Sequence, residues 1–408
     1  MNGDRRGFFR GSFALLIGTG GGFFGGGAAG FALAADVRKE GVLGGNHSLR
    51  MEVDLAMARA GRWLVSVQDR RTGAWSDPRH PALTALALMA LERAVSVSGG
   101  GSAEELEGLR LGYAFLRSQA KPDGGIYADA LSNYNTALSV QALVRGNRSE
   151  DEALIRGAQR FLQAQQARGM VRPELDGGIG YGEKGVSPKR QHPDLDNTVV
   201  ALEALRMVEE YARVREWPQG AALDWEAAIG FISRCQNLAG GSGQATSGSR
   251  AVAESERGGF VYYPGHSHAG EVDLEGGAKA LRSSGTMTYA GLLSFLYAQM
   301  SARDERIQAA LDWLGRHYTL GENPGLGQQG KYYYFHLMAK ALSVAGVEKL
   351  EVRGASQVDW AKELAVELLG LQQGGGQWVN PTGRWMESDP VLVSSYSVLA
   401  LGMVRERI

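Results

Sequence analysis

Six segments of this chain carry one pattern at irregular spacing, and that repetition limits the folds open to it more than any single residue does. Each segment reads as two helices. In the second, a marker residue near the start is followed six positions later by a small residue and then Leu or Phe: Thr84 to Ala90-Leu91, Thr136 to Ala142-Leu143, Thr198 to Ala204-Leu205, Thr288 to Ser294-Phe295, Phe335 to Ala341-Leu342 and Ser394 to Ala400-Leu401. The first helix of each pair is apolar on one side and ends in an aromatic or aliphatic pair, often with a Gln, before a glycine-rich turn. These ends are Trp63-Leu64 with Gln68, Phe115-Leu116 with Gln119, Phe161-Leu162 with Gln165, Phe231-Ile232 with Gln236, Trp313-Leu314, and Leu368-Leu369 with Gln373. The second helices, near 82–94, 136–144, 197–208, 288–300, 333–344 and 394–404, are apolar on nearly every face and must be buried. Six buried helices ringed by six one-sided ones predict an all-α, double-walled barrel of six helical hairpins whose inner helices point one way. The glycine turns and inner-helix starts then share one rim. The hydroxyl of Thr at the marker position is expected to cap unpaired amides, and the small residues to allow close helix approach.

The chain has 408 residues, 44% hydrophobic and 21% charged, with a formal net charge of -1. That balance gives no clustered excess of Lys and Arg, so nucleic acid is not an expected partner. Cys235, the single cysteine, can form no intrachain disulfide and no multi-cysteine zinc site. Asp4-Arg5-Arg6-Gly7-Phe8-Phe9-Arg10, followed by a Gly-rich apolar stretch and Ala32-Leu33-Ala34, resembles a twin-arginine export signal. The expected organisation is a signal peptide over 1–34, a linker over 35–48 and one helical domain over 49–408, placed in the periplasm or cell envelope with no transmembrane span in the mature chain. Inserts are expected at 168–193 and 239–284, with 240–259 as a surface loop.

Gln68 followed by Gly73-Ala74-Trp75, and Gln373 followed by Gly375-Gly376-Gln377-Trp378, resemble the QW motif of squalene-hopene and oxidosqualene cyclases. On these residues the chain from 49 to 407 is similar to the squalene cyclase and protein prenyltransferase repeat family, and the resemblance implies an (α/α)6 toroid. The zinc ligands of the prenyltransferases have no counterpart around Cys235, and the thioester motif of complement-type toroids does not occur, so no cofactor and no metal are expected. His266-Ser267-His268 with Glu271 and Asp273 has a spacing compatible with metal binding, but fixes no further ligand.

His192-Pro193-Asp194-Leu195-Asp196-Asn197-Thr198 resembles the Asp-x-Asp-Asp-Thr motif of class II terpene cyclases. The resemblance implies that Asp196 protonates an alkene with Asp194 as its neighbouring carboxylate, while Asn197 stands where that family has a third acid. The competing reading is that an aspartate caps the helix and that Asn197-Thr198 repeats Asn135-Thr136. His192, Trp75, Tyr127, Tyr134, Tyr181, Tyr289, Tyr333, His336, Trp378 and Tyr396 are the candidate ligand-binding residues, because aromatic faces embrace apolar chains and stabilise cations. Two functions follow: a toroid that binds an apolar, isoprenoid-like molecule or an envelope protein or peptide at its mouth without full cyclase activity, and an active cyclase with Asp196 as general acid.

Overall fold

A computed structural model describes residues 46–183, 186–218, 222–238, 251–354 and 357–408. The export-signal reading lies outside the described residues. Outer helices α1 (His47–Ser66), α3 (Ala103–Ser118), α5 (Glu152–Ala164), α7 (Trp225–Arg234), α9 (Glu305–Arg316) and α11 (Trp360–Leu371) alternate in sequence with inner helices. The inner helices are α2 (Pro81–Val97), α4 (Ser132–Gly146), α6 (Leu195–Val214), α8 (Gly285–Tyr297), α10 (Lys331–Val344) and α12 (Pro390–Arg405). Each inner helix packs on the next, and α12 packs on α2, so the inner ring closes. The expected all-α toroid of six hairpins is therefore the architecture of the chain. A short antiparallel hairpin, β1 (Glu271–Asp273) with β2 (Lys279–Leu281), rises from the second insert, Glu271 opposite Leu281. Among the described residues no helix is long and apolar enough to cross a membrane.

The repeated residues account for the closure. Gly73, Gly124, Gly177, Gly258 and Gly376 all hold positive φ, between +81° and +99°, a region that glycine enters without steric penalty. Each lies against the backbone of the next outer helix: a Cβ there would stand 2.0–2.7 Å from the carbonyl oxygen of Leu111, Gly157, Ala227, Ala309 or Arg59 respectively. The sixth corner thus docks on the first outer helix. Glutamine side chains reinforce the docking. The Nε2 groups of Gln68, Gln166, Gln236 and Gln372 each donate, at 2.8–3.1 Å, to the corner glycine's carbonyl and to a carbonyl at the start of, or within, the next outer helix.

The marker hydroxyls perform the second half of the corner. Thr84, Thr136, Thr198, Thr288 and Ser394 accept, at 2.9–3.1 Å, the amide of the residue two after the glycine: Trp75, Ile126, Ile179, Phe260 and Trp378. The capped amide therefore belongs to the corner and not to the inner helix's own first turn. Phe335 has no hydroxyl, and the fifth corner departs from the others: buried Asn323 instead exchanges hydrogen bonds with the amide and hydroxyl of Thr286 on α8.

Three expectations are corrected. The bridging glutamines are Gln166 and Gln372, not Gln165 and Gln373: all four lie at or just past the ends of the outer helices, where the chain turns and only one of each adjacent pair reaches the next hairpin. Gln119 does not bridge; its amide donates to Ser118. Within 240–259, the described part is not an open loop: Gly258-Gly259-Phe260 is the fourth corner, and buried Glu256 accepts the amide of Ser283 at 2.7 Å.

The corner geometry generates a paired test. Gly376→Ala forces φ near +99° on an alanine and drives its methyl onto the Arg59 carbonyl. It is expected to cost about 2 kcal/mol or more of stability. Gly370→Ala, in the exposed face of α11 with open space around it, is expected to be neutral or to stabilise by up to about 1 kcal/mol. Thermal unfolding of both variants checks this, and equal losses would contradict the docking role.

Candidate functional site

Because all six inner helices start at one end, their first turns surround a cavity of about 480 Å³. Ala82, Leu83 and Leu86 of α2, Met287 of α8 and Leu392 of α12 form its apolar wall, with Leu131 and Leu326 from the connecting loops. Tyr134, Tyr181, Tyr262, Tyr333 and Tyr396 add aromatic faces, and Asp196 stands among them. A space of this size, mostly apolar with a few converging polar groups, has the character of a small-molecule site.

Asp194 and Asp196 occupy different positions. Asp194 is the N-cap of α6: fully buried, it accepts the amide and the side-chain Nδ2 of Asn197, both at 2.8 Å. Its side chain is not part of the cavity wall, so Asp194 takes the helix-capping role and Asp196 is the one of the two carboxyls that borders the cavity. Asn197 is turned back to serve Asp194 and adds nothing to the cavity. Asp196 is half-buried, its open side facing the cavity, and accepts the phenolic hydrogen of Tyr333 at 2.7 Å. Burial pushes its carboxyl up to about 6, against the Tyr333 hydrogen bond. Asp194 is pushed up to about 7, first by burial and then by the charge of Asp196, with the Asn197 and Tyr262 hydrogen bonds opposing. The two titrate as a pair, and the pair holds a proton close to neutrality.

The other expected ligand residues divide. Tyr134, Tyr181, Tyr333 and Tyr396 face the cavity. Trp75 and Trp378 do not: both are fully buried in the wall, their indole Nε1 groups donating to the carbonyls of Leu64 (2.7 Å) and Leu368 (2.8 Å). Tyr127 is held in the second corner, its hydroxyl donating to Asp123 at 2.6 Å. Tyr289 packs behind the lining against Tyr334 with ring centroids 5.6 Å apart. His336 lies beneath Tyr396, stacked at 5.3 Å, and His192 sits on the outer rim against Tyr263 at 4.3 Å. These six are structural neighbours of the cavity and not its surface.

The mouth holds residues that the repeat pattern did not single out as ligand-binding. His268 packs on Tyr262 with ring centroids 4.2 Å apart and tilted by 36°, approaches Trp385 at 5.6 Å, and lines the cavity, as does Arg190. Burial, then the neighbouring His266 and the guanidinium groups of Arg384 and Arg190, hold its imidazole down at about 4, so it is neutral at physiological pH. Among the described residues no cluster of three or more His, Cys, Asp or Glu has metal-binding geometry; His266 and His268 belong to this aromatic rim. Trp385 and Met386 reach the mouth on two successive residues with φ of +55° and +66°. Glu387 anchors them by accepting the amides of Tyr332 (3.3 Å) and Tyr333 (2.8 Å) at the start of α10, together with Asn380 Nδ2 (2.6 Å). A non-glycine pair in the left-handed region carries strain of about 1–3 kcal/mol per residue, a feature that concentrates at binding sites.

The raised aspartates give a signed pH dependence. Their folded values lie above the ordinary 3.8, so the folded chain binds protons more readily than the unfolded one. The associated stability is fully present below 3.8 and is lost as pH rises through about 6 and 7. Asp196→Asn is expected to gain stability over the native chain on going from about pH 4.5 to about pH 8, by on the order of 2 kcal/mol. Urea unfolding at the two pH values measures this difference, and a constant gap would contradict the assignment.

No protein-family model matches the chain, and no curated protein matches it. Similar solved structures include the type II terpene cyclase MstE from Scytonema without ligand, at 13% identity over 88% of this chain and 100% of that chain, TM-score 0.48. A variant of that cyclase in complex with geranylgeranyl dihydroxybenzoate, its substrate, is 12% identical over 89% of this chain and 100% of that chain, TM-score 0.49. A protein from Actinoplanes is 15% identical over 87% of this chain and 100% of that chain, TM-score 0.45. These likenesses concern the course of the chain, and the properties of the cavity rest on its own residues.

Proposed function

We propose that this chain is an exported toroid of the squalene cyclase and prenyltransferase repeat type, acting in the periplasm or cell envelope, that binds an apolar, isoprenoid-like molecule among its inner-helix starts. One observation carries the reading: a cavity walled by Leu83, Leu86, Met287, Leu392 and five tyrosines opens beside Trp385 and Met386, so that burial of a flexible apolar chain is the interaction it can reward. A chain-like ligand is favoured over a polar peptide because most of the wall is aliphatic or aromatic. Glu387 is engaged in capping α10, and His268 is neutral.

A second reading, catalysis, is favoured by Asp196. It is the lining carboxyl not used as a helix cap, burial raises its proton affinity to about 6, and rings whose faces stabilise positive charge surround it. In this role Asp196 would transfer its proton to a carbon–carbon double bond of the ligand. Tyr333 donates to its carboxylate and helps to carry the resulting negative charge. With Asn197 committed to Asp194, that single phenolic hydrogen bond is the direct stabilisation seen for the conjugate base of Asp196, which makes the acid weak for this chemistry.

Purified mature protein incubated with farnesol, geranylgeraniol or squalene is expected to retain the ligand in native mass spectrometry, and Asp196→Asn to retain it equally. If the chain is also a cyclase, the native form yields cyclic product and Asp196→Asn loses at least about 10²-fold of that rate. Retention without product supports binding alone. A failure of all these molecules to bind, with an envelope peptide or protein co-purifying instead, would overturn the proposal.

A further inference from the structure

Two hydrogen-bonded rungs cross the lumen between the same pair of helices. In the inner ring α6 and α10 are not neighbours; α8 stands between them. Tyr333 of α10 nevertheless meets Asp196 of α6 at 2.7 Å, and Lys340 of α10 meets Glu203 of α6 at 2.8 Å. The partners are seven residues apart on both helices. Seven residues make almost two full turns, which returns each side chain to the same face about 10 Å further along. The rungs are therefore stacked along the axis, one in the first turns of the two helices and one about two turns further along.

They differ in kind. The upper rung borders the cavity, whose wall also includes Tyr134, Tyr396 and Met287. The lower rung is an ion pair, with Lys340 and Glu203 at 6% and 3% exposure, and it forms no part of the cavity wall. Separating a buried ion pair is strongly unfavourable, so the lower rung is a fixed floor. A single phenol-to-carboxyl hydrogen bond is a weaker barrier. Between the rungs on the same face of α10 lies His336, its Nδ1 buried without a protein partner, and its ring stacked on Tyr396.

Resting on the reading of the cavity as a site for an apolar chain, we propose that Tyr333 sets how far that chain can enter the lumen and so selects ligands by length, with the Lys340–Glu203 pair as the final stop. The selectivity comes from the bulk of the Tyr333 ring standing across the shaft. Packing against Tyr396, with ring centroids 5.2 Å apart, holds the ring in that place.

The test is a ladder of all-trans prenols from geraniol upward, bound to the whole mature chain and measured by native mass spectrometry. Tyr333→Ala is expected to raise the affinity ratio of long over short prenols by at least about tenfold, the scale on which pockets sense chain length. Tyr333→Phe keeps the bulk and is expected to keep the native length profile. If the alanine variant does not fold, as judged by circular dichroism, Tyr333→Leu replaces it. A folded alanine or leucine variant that binds prenols with the native profile overturns the assignment of depth to Tyr333 while leaving the apolar site intact. Absence of prenol binding by every form removes the apolar-chain reading and the depth assignment together.

Discussion

The structure depends on a glycine held against the backbone of a neighbouring helix. At five corners a positive-φ glycine lets the turn approach the next outer helix so closely that a β-carbon would collide with its carbonyl oxygen. A hydroxyl from the inner helix then satisfies the amide two residues on. At four corners a glutamine pins the turn to its neighbour. Buried turns carry backbone groups that must be paired, and this set of partners pairs them. Since the sixth corner uses Arg59 of the first outer helix, the same local rule that joins successive hairpins also closes the ring. Paired charges, Arg405 with Asp54 and Arg93 with Glu406, lie along that seam.

Closure has a consequence for chemistry. A ring of parallel inner helices gathers six first turns at one end, where the side chains are too few to fill the axis, and the cavity is what remains. Further down, the axis is occupied by Tyr333, His336, Lys340 and Glu203. The carboxyl of Asp196 sits at the boundary, poorly solvated but open to a ligand on one side, and its proton affinity is raised for that reason. The strained pair Trp385 and Met386 is tied to the same boundary through Glu387. Mouth, acid and depth limit therefore all converge on the start of α10.

Much of the fold was legible because its signals are local and repeated. Apolar residues on all faces mark a helix buried on all sides, and a Thr followed six positions later by a small residue and Leu recurs whenever the corner is built the same way. The site was less legible for the same reason. An inner helix that is apolar all round does not reveal which face turns to the lumen, so Tyr289, which packs outward, looked the same as Tyr134, which lines the cavity. Trp75 and Trp378 were conspicuous because they belong to the corner motif, and that motif serves the wall. Asp194 and Asp196 stand two apart at a helix start, where one must cap and the other is carried round by about 200°. That rotation could have separated their roles from sequence alone. Trp385 and Met386 depend on backbone strain and on long-range anchoring by Glu387, which no local pattern encodes.

The central claim is that the six inner-helix starts enclose one apolar cavity bordered by Asp196 and Tyr333. Crystals of the protein pressurised with xenon test it most directly, since xenon enters apolar cavities and scatters strongly. The account predicts a peak among Leu83, Leu86, Met287 and Leu392, on the mouth side of the Tyr333–Asp196 bond. Inner helices starting at both ends of the barrel, or xenon bound elsewhere with this space filled by side chains, would contradict it.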